Sequence, residues 1–135
     1  MIKRRSFMER HRYLDLALEQ NHIRVQDIRT VVESVSRNPV GSLLVWRQLQ
    51  TRWNAIETTF GRGTFTMGRL IAAAVAHFNN ALDLKSVQSF FKHVNVGSGK
   101  RSLHQSVEMI QANMNFLNKY DHELTTWLLR NSPRC

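Results

Sequence analysis

The chain has 135 residues, of which 42% are hydrophobic and 21% charged, and 19 Lys and Arg against 10 Asp and Glu give it a formal net charge of +9. This length suits one domain and is short for a self-sufficient enzyme with two lobes. The single cysteine, Cys135, excludes an intrachain disulfide, and no apolar run reaches the ~18 residues of a transmembrane helix. The segment Met1 to Arg10 lacks the apolar core of a signal peptide.

The basic residues are concentrated at the start of the chain. Those in the first dozen residues are Lys3, Arg4, Arg5, Arg10 and Arg12, with Glu9 as the only acid. We therefore expect a basic arm or first helix at residues 1–12, followed by an ordinary solvated surface. This arm keeps a second hypothesis open, a stand-alone basic helical module that binds nucleic acid or an acidic protein. Binding that falls steeply with salt and disappears on removal of residues 1–12 would favour that hypothesis.

Apolar residues recur at spacings of three and four, which is typical of amphipathic helices. In chain order the stripes run over Phe7–Leu18, Ile28–Val35, Leu43–Phe60, Met67–Phe78, Leu84–Val94, Leu103–Leu117 and Tyr120–Leu128. No segment of strand length alternates with period two. The sequence therefore predicts an all-α fold of about seven helices.

The helix boundaries follow from proline, glycine and capping residues. Asn38-Pro39, Gly61-x-Gly63 and Gly97-Ser98-Gly99 predict breaks, and a bend is expected near Asn118-Lys119. Thr64 or Thr66 and Asp83 are the expected N-caps of the helices that follow them. Because the connections are short, successive helices should form antiparallel hairpins, stacked in a HEAT- or armadillo-like array over residues 13–130, with a tail at 131–135. No fixed-length repeat is present, so a helix bundle stays open as an alternative.

No complete catalytic or metal site is found among the motifs. His122-Glu123-Leu124-Thr125-Thr126 begins like the zinc pattern H-E-x-x-H, but Thr126 replaces the second ligand. Gly99-Lys100 lacks the earlier glycine and the following hydroxyl of a phosphate-binding loop. His77, His93 and His104, like the three tryptophans Trp46, Trp53 and Trp127, lie on or beside apolar stripes and are expected to be packing residues. We therefore expect neither a catalytic residue nor a cofactor in this chain.

Several segments together resemble the C-terminal helical domain of M1-family zinc aminopeptidases. They are Ile23–Ile28 (I-R-x-Q-D), Ser36–Gly41 (S-x-N-P-x-G), Val45-Trp46 with Trp53-Asn54, Phe65–Leu70 (F-S-x-G-R-L), Gly97–Leu103 (G-x-G-x-R-x-L), Ile110–Asn113 and Trp127-Leu128. The resemblance is collinear from Tyr13 to Leu129. The chain departs from the pattern at Ser42, where Arg or Lys is usual, and at Asn115-Phe116.

The resemblance implies a lid over a catalytic domain. In this family the catalytic half carries H-E-x-x-H, a distant glutamate ligand and a G-A-M-E-N loop, and none of these is present in the chain. Zinc would belong to that catalytic domain, supplied in cis or in trans, and the ligand would be a peptide. The resemblance implies that Phe65, Thr66 and Arg69 face the peptide chamber, Phe65 against a substrate side chain and Arg69 near a peptide carboxylate. The alternative for these residues is packing and capping at a helix start.

The apolar side chains near the N-terminus affect whether copies of the chain associate with each other. Because the earlier helices of the resembled domain are absent from this segment, we expect Phe7, Leu14 and Leu18 to be exposed, which would favour self-association.

Overall fold

The computed structural model describes residues 12, 14–16, 18, 24–61 and 66–133. The helices are α1 (Val25–Ser36), α2 (Pro39–Thr51), α3 (Trp53–Ile56) with a π-helical turn (Glu57–Gly61), α4 (Thr66–Val75), α5 (Ala81–Lys92), a 3₁₀ turn (Gly97–Gly99) and α6 (Lys100–Asn131). The described positions between 12 and 18 are helical as well. The described residues thus form seven α-helices and no strand, which confirms the predicted all-α fold. None of these helices combines the length and apolar character needed to cross a membrane.

Helix α4 lies at the centre of the core. It contacts α1, α2 and α6, and its side chains Leu70, Ile71, Ala74 and Val75 are buried. Among helices that are neighbours in the chain, α1 packs on α2 and α5 packs on α6, whereas α4 packs mainly on α1, α2 and α6. The position of α4 makes it the scaffold on which the rest of the described chain is arranged.

An aromatic cluster attaches α5 to α2 and α3. The rings of Trp46 and Trp53 lie 5.5–5.9 Å from those of Phe90 and Phe91, mostly edge to face. Edge-to-face contacts of this kind add stability beyond the buried area. The prediction that Trp46 and Trp53 are core residues is confirmed, since both are buried.

Asparagine side chains begin two of the helices. Asn38 accepts hydrogen bonds from the amides of Val40 and Gly41, at 2.9 and 3.4 Å, and Pro39 occupies the first helical position of α2. At α5 the expected N-cap, Asp83, is wrong. Asn80 is the cap, because its Oδ1 accepts from the Asp83 amide at 2.9 Å while its Nδ2 donates to the Asp83 carboxylate at 2.7 Å. Asp83 is instead the third residue of a reciprocal capping arrangement.

One helix boundary was not predicted, and one predicted bend is absent. The stripe Leu43–Phe60 is interrupted at Arg52, whose backbone leaves the helical region and whose guanidinium pairs with Asp15 at 2.9 Å. Conversely, α6 continues through Asn118-Lys119 without a break. Neither residue there is a proline or glycine, so nothing in the backbone chemistry requires the expected bend.

Burial differs from expectation at both ends of the described chain. Leu14 is buried and Leu18 packs against the core, so the expected exposure of these two leucines is wrong; Phe7 lies outside the described residues. Trp127 is 62% exposed rather than a core residue. The three histidines expected to be partly buried, His77, His93 and His104, are exposed.

Candidate functional site

Arg69 lies on the exposed side of α4 between two grooves. The first groove, of about 410 Å³, runs between α1 and α4 and is lined by Arg29, Glu33, Arg37, Arg69, Ala72, Ala73, Ala76 and His77. The second, of about 270 Å³, runs between α4 and α6 and is lined by Gly68, Arg69, Ala72, Ala76, Ser102, Gln105, Ser106 and Met109. Arg69, Ala72 and Ala76 belong to both grooves, and we call these three residues the Arg69 face.

Helical spacing explains how one short helix supplies both a core and this face. Residues 69, 72 and 76 follow the i, i+3, i+7 rule, while Leu70, Ile71 and Ala74 point to the opposite, buried side. The two alanines carry only a methyl group each. The centre of the face is therefore a shallow depression, and the longer side chains of α1 and α6 form its two walls.

The first groove carries a positive charge. Three guanidinium groups line it, those of Arg29, Arg37 and Arg69, and among the described lining residues only Glu33 has a carboxylate. That carboxylate is already paired with Arg29, with 2.6 Å between Nε and Oε1. The groove therefore favours an acidic or carboxylate-bearing ligand, although its exposure to solvent limits the strength of each ion pair.

The residues expected to face a peptide behave differently from one another. Arg69 is exposed and lines both grooves. Thr66 is the half-buried first residue of α4 and lines neither groove. Phe65 lies outside the described residues, as does Thr64, the other expected cap.

Sequence reasoning missed Arg29 and Arg37, which share the groove with Arg69. Arg29 lies on α1, and Arg37 follows that helix directly as its C-cap, eight residues later with Glu33 midway, so the three side chains share one outer side. This i, i+4, i+8 spacing of charges could have been read from the sequence. That these side chains lie close to Arg69, which comes 32 to 40 positions later, could not be read from the sequence.

Asn113 binds the backbone directly after α4, next to Ala76 of the Arg69 face. Its side-chain amide donates to the carbonyl of Phe78 at 2.9 Å and to that of Ala76 at 3.3 Å. These carbonyls follow the last turn of α4, where backbone acceptors have no partner within the helix. Asn113, from the Ile110–Asn113 segment, is thus a positioning residue for the candidate site.

The described residues offer no metal site. Among the described residues, no three His, Cys, Asp or Glu side chains come together in a group that could hold a metal ion. His122 and Glu123 are exposed on α6 and face solvent.

Comparison with known proteins connects the sequence of this chain to one family. The sequence model of the ERAP1-like C-terminal domain matches residues 8–112. Aminopeptidase N of Oryctolagus cuniculus is 30% identical over 125 residues, which cover 90% of this chain and 13% of that protein. Aminopeptidase Ey of Gallus gallus is 30% identical over 119 residues, covering 86% and 12%. Glutamyl aminopeptidase of Mus musculus is 32% identical over 117 residues, covering 86% and 12%.

The chain spans only 12–13% of the length of these relatives. The matched region contains α1, α2, α4 and α5 with the aromatic cluster and the Arg69 face. The motifs identified in the sequence, the match to the family and the names of the relatives agree. The chain therefore belongs to the family of ERAP1-like C-terminal domains, the helical C-terminal domain of M1 aminopeptidases.

Proposed function

We propose that the chain is the non-catalytic C-terminal helical domain of an M1-type aminopeptidase, where it covers the substrate chamber and helps to bind the peptide. The parent enzyme would remove N-terminal residues from peptides, using zinc held by its catalytic domain. That domain would be joined to the chain or supplied by another one. Family membership supports the parent class, and the Arg69 face supports a direct contribution to peptide binding.

The observation that carries the peptide-binding part is the excess of guanidinium groups in the first groove. A peptide bears a C-terminal carboxylate and, in many sequences, acidic side chains. Arg69 and Arg37 would attract these groups, while the methyl groups of Ala72 and Ala76 leave room for the peptide main chain. Such contacts would be complete only when the helical domain closes over the catalytic domain.

A chimaera tests this proposal directly. The matching segment of aminopeptidase N from Oryctolagus cuniculus is replaced by this chain, and hydrolysis is followed for a peptide and for a small aminoacyl anilide. We expect the chimaera to fold and to hydrolyse both substrates. A folded chimaera that still hydrolyses the anilide but not the peptide would contradict the proposed role, because the chemistry would be intact and the peptide no longer accommodated.

A further inference from the structure

A third groove lies between α5 and α6, on the far side of α6 from the Arg69 face. Its volume is about 440 Å³, and it is lined by Gln88, Phe91, Lys92, Leu103, His104 and Val107. At 3.6 residues per turn, the last three of these lie roughly 155° around α6 from the α6 residues that line the second groove, Ser102, Gln105, Ser106 and Met109. We call it the α5–α6 groove, and it opens away from the surface proposed to bind peptide.

The floor of the α5–α6 groove is apolar and is held in place by the core. Phe91, Leu103 and Val107 are half-buried and pack against the core, and each also lines the groove. The ring centroid of Phe91 lies 5.5 Å from that of Trp53 and 5.9 Å from that of Trp46. Because the aromatic cluster fixes this ring, the floor is preformed, as is usual for sites that receive apolar groups.

The rims of the α5–α6 groove are polar and positively charged. Gln88 and Lys92 lie on the α5 side and His104 on the α6 side, and all three are exposed. None of the described lining residues carries a carboxylate, and Lys92 forms no ion pair with a described carboxylate. Lys100, one turn before His104, begins α6, whose first turn contains no acidic residue. The groove thus combines an apolar floor with positive charge that no described acid neutralises.

We propose that the α5–α6 groove binds an acidic segment of a partner protein, in which large apolar side chains are flanked by Asp or Glu. The apolar side chains pack on Phe91, Leu103 and Val107. The flanking carboxylates pair with Lys92 and accept a hydrogen bond from His104. This binding does not depend on the proposed peptide chamber, because the two surfaces lie on nearly opposite sides of α6.

Charge and polarity favour this occupant over the others. A second copy of the chain is a poor match, because its net charge is +9 and residues 1–12 carry five basic side chains against one acid. A nucleic acid would leave Leu103 and Val107 uncovered, and one lysine among the described lining residues does not follow a phosphate backbone. An acidic segment with apolar side chains is complementary to both the floor and the rims.

Fluorescence anisotropy with the 135-residue chain tests the proposal. The probe is a fluorescein-labelled hexapeptide, Glu-Asp-Phe-Leu-Asp-Glu, and we expect a Kd on the order of 10–100 µM at low salt. Lys92→Glu should raise this Kd by about tenfold or more, because a repelling charge replaces an attracting one. Lys119→Glu makes the same charge change at an exposed position of α6 outside the groove and should change the Kd by less than about twofold. Because both positions are exposed, circular dichroism should give both variants the helix content of the parent chain.

Two altered peptides separate the apolar contribution from the charge. Replacing the Phe and Leu of the probe by Ala should weaken binding by about tenfold, because the floor is then left uncovered. Replacing the four acids by Lys should abolish binding. An Ala peptide that binds as tightly as the probe would overturn the proposal, since the groove would then be a general anion surface.

Three further results would also overturn the proposal. One is a probe that does not bind below about 1 mM. Another is an equal loss in Lys92→Glu and Lys119→Glu, because binding would then follow the net charge of the chain. The third is a labelled single-stranded hexanucleotide that binds more tightly than the probe and is lost in Lys92→Glu, which would assign the groove to nucleic acid. Arg69→Gln should leave the Kd of the probe within about twofold, so this test and that of the peptide chamber fail separately.

Discussion

Gly68 and Gly99 bring the starts of α4 and α6 into close contact. A Cβ built on Gly99 would lie 3.5 Å from the Gly68 Cα, and one built on Gly68 would lie 2.6 Å from the Ser102 Oγ. Both glycines belong to segments that resemble the family, Phe65–Leu70 and Gly97–Leu103. The missing side chains let the two backbones approach, and this approach closes one end of the second groove beside Arg69.

Gly68→Ala should destabilise the fold by about 1–3 kcal/mol, because the new methyl group overlaps both the Oγ and the Cβ of Ser102. Combining it with Ser102→Gly should recover part of that loss, beyond the intrinsic penalty that Ser102→Gly carries alone. Urea denaturation of the four chains measures the coupling. Strict additivity would mean that Ser102 is not the obstacle.

Gly41→Ala should be more harmful than Gly97→Ala. A Cβ on Gly41 would overlap the backbone carbonyl oxygen of Val35, which cannot move without shifting α1 against α2, so we expect a loss of more than about 3 kcal/mol. Gly97 has a φ of +52° with nothing near its Cβ position, so only backbone strain of about 1–2 kcal/mol is expected there. Thermal and urea unfolding rank the two variants. The reverse order would show that α1 and α2 can separate easily.

Ser86→Ala should destabilise the chain by about 1–3 kcal/mol, since the buried Trp46 Nε1 donates to the Ser86 Oγ at 3.0 Å and would lose its acceptor. Ser89→Ala, an exposed position on the same helix, is the matched control and should change stability by less than about 0.5 kcal/mol. Tryptophan fluorescence during urea unfolding measures the free energy of unfolding of both variants. Equal effects at the two serines would argue against the hydrogen bond as the cause.

Asn113→Ala should destabilise the fold by about 1–2 kcal/mol, because the carbonyls of Ala76 and Phe78 lose their shared donor. Asn115→Ala changes the same residue type at an exposed position of α6 and serves as the comparison. Amide hydrogen exchange should show faster opening at the end of α4 in the first variant only. Unchanged protection there would remove Asn113 from the residues that position the site.

Arg69→Gln in the aminopeptidase chimaera should raise the KM for a peptide by about 3- to 10-fold, as expected for a partly screened charge, and should leave the anilide unaffected. Arg47→Gln is the control, because Arg47 lines a different groove between α2 and α5. Steady-state kinetics on both substrates separate the two cases. A fall in kcat for the anilide would instead indicate damage to the catalytic domain.

Local patterns in the sequence predicted local structure well. The end of α1 at Ser36, before Asn38-Pro39, and the end of the helical segment at Gly61 were both predicted, because proline and glycine act within a few residues. The N-cap of α5 was wrong because Asn80 and Asp83 can both cap, and the choice between them depends on where the preceding chain leaves the core. The prediction that Trp127 is a core residue was wrong for a related reason. A stripe predicts which side of a helix is apolar but not whether another element covers that side.

The amino-acid sequence by itself determined that the chain is helical, where most helices end, that Trp46 and Trp53 are buried and which family it resembles. These properties depend on residues three or four positions apart and on short motifs, so they can be read along the chain. Only the tertiary structure decided that Arg29, Arg37 and Arg69 share a groove, that Asn113 binds the carbonyls after α4 and that the described end of α6 exposes apolar side chains. Each of these depends on how separate helices pack, and packing is set by the fit of whole surfaces rather than by the spacing within one of them.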